Sequence, residues 1–110
     1  MYTFENLFLD LEKLKEISDD SYINNINQAI KFANIIFNYN LPVPKCMLLT
    51  NGDIALYWRN NNYIEIGFYE GTKLYFYAID RDNNEIGKDD HDIPENYFDP
   101  ELIELFNNFI

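Results

Sequence analysis

Asn51-Gly52-Asp53-Ile54-Ala55-Leu56-Tyr57-Trp58-Arg59, then Asn60-Asn61-Asn62, then Tyr63-Ile64-Glu65-Ile66-Gly67-Phe68-Tyr69-Glu70-Gly71, carries the period of two β-strands between turn residues. Successive side chains of a strand point to opposite faces, so period-two alternation marks strands buried on one side. Ile54, Leu56 and Trp58 alternate with Ala55, Tyr57 and Arg59, and Ile64, Ile66 and Phe68 alternate with Tyr63, Glu65, Gly67 and Tyr69. Asn51-Gly52 predicts a type I′ hairpin turn, whose two central residues need positive φ. The asparagine run predicts a second turn, and Glu70-Gly71 a third, leading into Lys73 to Ile79. With the short apolar run Cys46 to Thr50 before the first turn, four antiparallel strands form a meander.

Before that meander the period changes to that of a helix. Phe4, Leu7, Phe8, Leu11 and Leu14 share one stripe and predict an amphipathic helix from Phe4 to Ile17. Ser18-Asp19-Asp20-Ser21 offers N-cap oxygens for a second helix, about Tyr22 to Phe37, with Ile26, Ile30, Ala33 and Phe37 on its stripe. Leu41-Pro42-Val43-Pro44 ends it. After the meander, Arg81 to Asp92 reads as a loop. Asp99-Pro100-Glu101 then opens a C-terminal helix whose stripe is Leu102, Ile103, Phe106, Phe109 and Ile110. The expected fold is a single α+β domain over residues 1–110, with two N-terminal helices packed on a four-stranded antiparallel β-meander and a C-terminal helix.

The two faces of the predicted sheet differ. One is wholly apolar and needs a helical cover. The other carries Tyr57, Arg59, Tyr63, Tyr69, Tyr75 and Tyr77, with Glu65 and Lys73 between them. Tyrosine supplies rigid contact area with a polar tip and is enriched at protein interfaces, so this face is a candidate binding surface.

Charge points the same way. The formal net charge is −11, and the segment from Asp80 to Glu104, with ten acids against Arg81 and Lys88, holds −8 of it. Such a field repels nucleic acid, whose binding requires neutralised phosphates, and attracts basic protein surfaces. Asp89, Asp90, Asp92 and Glu95 are the candidate attracting residues. No apolar run reaches the roughly 20 residues of a membrane span. The N-terminal residues lack a basic, cleavable leader pattern, and the single Cys46 allows no internal disulfide, so a cytoplasmic location is expected.

Catalytic and metal-binding signals are weak. His91 stands in Asp89-Asp90-His91-Asp92 without a nucleophile near it in sequence, in what reads as an exposed acidic loop. Asp80-Arg81-Asp82-Asn83-Asn84 begins like a calcium loop, but Glu85 occupies the position that needs glycine and His91 the position of the bidentate glutamate. Cys46 reads as a small core residue. Neither an enzyme nor a cofactor is expected.

Leu41-Pro42-Val43-Pro44, the Gly52-to-Trp58 pattern Gly-x-Ile-x-Leu-x-Trp, Tyr63-Ile64-Glu65-Ile66 and Gly71 resemble a group of small uncharacterised bacterial and mobile-element α+β proteins. In those proteins a helix and a proline-rich turn precede a hairpin of this form. The resemblance covers about the middle half of the chain and implies a fold, with no catalytic residues. In size and charge the chain is also similar to anti-CRISPR inhibitors, which implies blockade of a basic channel on a larger effector. The expectation is therefore a small acidic inhibitor that binds a basic surface of a partner protein, with no direct nucleic-acid or membrane contact. The alternative is an antitoxin or immunity protein that neutralises one toxin. Oligomeric state is left open.

Overall fold

The alternation around Trp58 survives intact in three dimensions. A computed structural model describes residues 1–94 and 100–110. Its elements are α1 (Phe4–Ile17), α2 (Asp20–Asn38), β1 (Lys45–Leu48), β2 (Ile54–Arg59), β3 (Tyr63–Tyr69), β4 (Lys73–Ile79), β5 (Glu85–Asp92) and α3 (Pro100–Phe109). The fold is α+β: the strands form one antiparallel sheet in the order β1-β2-β3-β4-β5, a meander. Five strands replace the four expected. The fifth is the acidic stretch that reads as a loop.

Register places Leu56 opposite Ile66 and Ile66 opposite Phe76, with Trp58 opposite Ile64 and Ile64 opposite Ala78. All of these lie on the core face and are at most 5% exposed. Burying each large apolar side chain there contributes about 1.5–3 kcal/mol. Helix α2 docks through Phe32, whose ring lies 5.7 Å from that of Phe68. The second-helix stripe turns slightly from its sequence reading. Ile26, Ala29, Phe32, Ala33 and Ile36 are fully buried, whereas Phe37 is 54% exposed.

Helix α3 joins the same layer. Phe106 sits edge-on to Trp58 at 5.4 Å and stacks on Phe32 at 6.3 Å. Asn62 in the β2–β3 turn donates to the carbonyl of Phe109 at 2.9 Å. All three helices therefore cover the core face. The expected N-cap role of Asp99 lies outside the described residues. At α2 the N-cap is Asp19, whose side chain makes no capping hydrogen bond.

Turn chemistry also differs from its reading in one place. Only Gly52 of the Asn51-Gly52 pair has positive φ, +90°, so the turn is not type I′. Gly52 N–H donates to Leu49 O and Leu49 N–H to Asp53 O, which centres the turn on Thr50-Asn51 with a left-handed glycine after it. Glycine is required there twice over, because a Cβ would lie 2.2 Å from the ring of Tyr22. Positive φ at both Glu70 and Gly71, 55° and 71°, gives the β3–β4 turn the left-handed pair expected at the first one. Buried Asn25 of α2 accepts from Gly71 N–H at 2.8 Å, and Gln28 donates to Gly71 O at 3.1 Å, fixing that turn to the helix layer.

Candidate partner-binding face

With the helices on one side, the other side of the sheet is left to the tyrosines. Antiparallel register lines them up in rows across the strands. Tyr57 faces Glu65, Glu65 faces Tyr77, and Tyr77 faces Gly87. The next row is Arg59, Tyr63, Ile79 and Glu85; on the other side lie Ala55, Gly67 and Tyr75. Tyr69, Lys73 and Asp92 complete the face. The five tyrosines are all half-buried, neither sealed in nor standing free.

What lies under and beside these rings positions them. A Cβ on Gly67 would come within 1.9 Å of Cε2 of Tyr75, so the absence of a side chain lets that ring rest on the backbone of β3. Tyr69 and Tyr75 are 6.5 Å apart between ring centroids, and Tyr57 and Tyr63 are 6.2 Å apart. The Arg59 guanidinium lies 5.2 Å from the ring centre of Tyr63, a cation–π distance.

Glu65 ties the centre together. Tyr63 donates to its Oε1 at 2.6 Å, and Tyr75 donates to its Oε2. Burial, then the bond to Glu65, pushes both phenols well above the ordinary tyrosine range. Both hydroxyls therefore remain protonated donors at neutral pH, and the carboxylate stays fixed between them.

The acidic strand β5 is latched to the same face. Between the pairs Phe76–Lys88 and Leu74–His91 the register shifts, so Tyr75 of β4 faces both Asp89 and Asp90. Asp90 takes φ +55° in this bulge. Tyr69 donates to Asp89 Oδ1 at 2.8 Å and accepts from Asp90 N–H at 2.9 Å. Lys73 Nζ lies 2.6 Å from Asp92 Oδ1 and 3.4 Å from Asp90 Oδ1, and Tyr77 donates to Glu85 at 3.1 Å. The Tyr69 hydroxyl holds the Asp89 carboxyl below the usual carboxylate range, and the Lys73 ammonium does the same for Asp92.

Of the residues singled out in the sequence, Tyr57, Arg59, Tyr63, Tyr69, Tyr75, Tyr77, Asp89, Asp90 and Asp92 come together here. Glu95 lies outside the described residues. Two readings change. Asp89 to Asp92 belong to an edge strand, not a loop, and His91 is a half-buried strand residue whose ring lies 6.1 Å from Phe76 on the core side. Tyr75 is not a free-standing interface tyrosine, since it covers Gly67 and holds Glu65. Glu65, Lys73 and Glu85 were not singled out in the sequence as site residues; alternation already put Glu65 and Lys73 on the tyrosine face, whereas Glu85 fell in the stretch that reads as a loop.

The Asp80 carboxylate accepts the backbone N–H groups of Asp82 and Asn84, both at 2.9 Å, closing the β4–β5 turn in the way an Asx turn does. Among the described residues no three His, Cys, Asp or Glu side chains gather as a metal ion would need. Burial, then the nearby Asp10, raises the Cys46 thiol to about 11, which keeps it un-ionised at neutral pH. Chemically, the outer face suits recognition. It offers carboxylates for guanidinium or ammonium groups and rings for cation–π contact. No protein-family model matches the chain, and neither does any curated protein or solved structure at a significant level.

Proposed function

We propose that this protein is a stoichiometric inhibitor of the anti-defence kind, acting in the cytoplasm, that presents the tyrosine–carboxylate face to a basic surface of a partner protein. The observation that carries this reading is the pre-assembled outer face. Tyr63 and Tyr75 are held by Glu65, Tyr69 and Tyr77 by acids of β5, and Tyr57 lies against Tyr63, on the side of the sheet that no described helix covers. Ordering side chains before contact reduces the entropic cost of binding. The acids Glu85, Asp89, Asp90 and Asp92 at one edge supply attraction at longer range, while the tyrosines supply close contact. A target that normally holds nucleic acid has a basic surface of the matching sign.

Capture tests this directly. Immobilised protein should retain one partner in near one-to-one amount from a lysate of the natural host, and salt should weaken the retention. A variant carrying Tyr57→Ala and Tyr77→Ala with Asp89→Asn and Asp92→Asn should lose that partner. Equal recovery on both proteins would remove this face from the function.

A further inference from the structure

A second surface lies on the helix side, away from the tyrosines, and the partner-binding proposal does not use it. Phe4, Phe8 and Leu9 of α1 and Phe37 of α2 line an open groove, with Glu5 and Glu12 as its only charged lining. Phe4 meets Phe37 edge-on at 5.1 Å and Phe8 at 6.5 Å, so the groove has a continuous aromatic floor. Leu9 and Phe37 are each 54% exposed. Leu7, Leu11, Ile26, Phe32 and Ile36 of the same helices are fully buried. Phe37 keeps this exposure despite its contact with Phe4, and Leu9 is not among the residues packed against the core.

We infer that this groove receives a basic amphipathic helix from a partner protein. Three features define the occupant. From Phe4 to Glu12 the groove follows α1 for about 12 Å, two turns, which matches anchors at i, i+4 and i+7 of a docked helix. Its floor is carbon, so the anchors are aliphatic or aromatic. Its charged edges are glutamates with no lysine or arginine among the lining residues, so the flanks of the docked helix carry Lys or Arg. A second copy of this chain fits poorly, because each copy brings a net charge of −11 and α1 would set Glu5 and Glu12 against their own kind.

A synthetic helix-forming peptide tests the assignment, with leucines at i, i+4 and i+7 and lysine and arginine at the flanking positions. Fluorescence anisotropy would compare it with a scrambled peptide of the same composition, which controls for general attraction to an acidic protein. The patterned peptide should bind at least about tenfold more tightly than the scrambled one. Leu9→Ser should remove most of that advantage, and Glu5→Gln with Glu12→Gln should flatten its salt dependence. Asp89→Asn with Asp92→Asn, on the opposite surface, should leave the advantage in place. Equal binding of the two peptides, or an unchanged advantage in Leu9→Ser, would overturn the assignment. So would sedimentation showing a dimer of the wild type that Leu9→Ser dissolves.

Discussion

At the scale of single residues, Trp58 and Glu65 divide the labour of the two faces. Trp58 is 4% exposed, packs edge-on against Phe106, and donates through Nε1 to Pro42 O at 2.7 Å. It thereby ties β2, α3 and the proline turn to one another. Trp58→Ala should cost about 3–5 kcal/mol, a large share of the stability of a small domain. Urea denaturation measures it, and a loss below about 1 kcal/mol would show that the indole is not the anchor described.

Glu65 acts through protons. Because Tyr63 and Tyr75 ionise above the ordinary phenol value in the folded chain, their contribution to stability is complete below about pH 10 and is lost as the pH rises above that toward their raised native values. Asp89 and Asp92 act at the other end. Their lowered native values mean that their contribution is complete above about pH 4 and is lost as the pH falls below it. Stability against pH should therefore fall at both ends. Glu65→Gln should lower the pH at which the two phenols ionise, seen as a shift in the ultraviolet tyrosine titration. The shift should be partial, because burial is the larger cause and remains. A superimposable titration would detach Glu65 from the phenols.

At the scale of elements, the edge strand β5 is where sequence and structure part company. β2, β3 and β4 were legible because each alternates apolar with polar or aromatic side chains, and the register of Trp58 and Ile66 follows from that alternation. Glu85-Ile86-Gly87-Lys88-Asp89-Asp90-His91-Asp92 has no such pattern. It is a strand because β4 offers its backbone groups and because Tyr69, Lys73 and Tyr77 bind its acids. Charge and a bulge on an outer strand also discourage pairing with another sheet. The same devices that protect the edge hide it from a reading based on hydrophobic period. Helix α3 was legible as a helix, but its stripe does not say which face of the sheet it covers. Contact of Phe106 with Trp58 and Phe32 decides that. The candidate face was legible to the same degree, as a set of residues without the network that joins them.

The latches of β5 are exposed and ionic, so each holds weakly and yields to salt. Amide hydrogen exchange of β5 should therefore quicken as pH falls below about 4, after correction for the intrinsic rate, before β2 and β3 lose protection. Simultaneous loss across the sheet would show that β5 is bound into the global unfolding unit.

At the scale of the whole molecule, the acids are concentrated and the apolar surfaces are separated. Three helices pack on one side of the sheet, and the five strand tyrosines, with their carboxylates, occupy the other. Among the described residues no helix is long and apolar enough to cross a membrane. If the outer face serves a partner as proposed, Tyr57 and Tyr77 contribute affinity and little to holding the fold. Tyr57 and Tyr77 are the residues on which to test it, since Tyr75 is committed to Gly67 and Glu65. The decisive measurement is the melting temperature of the Tyr57→Ala, Tyr77→Ala double variant together with its affinity for the captured partner. The expected result is an affinity loss of about 2 kcal/mol or more, carried mainly by faster dissociation, with a melting temperature within a few degrees of the wild type. A clear fall in melting temperature with affinity unchanged would contradict it.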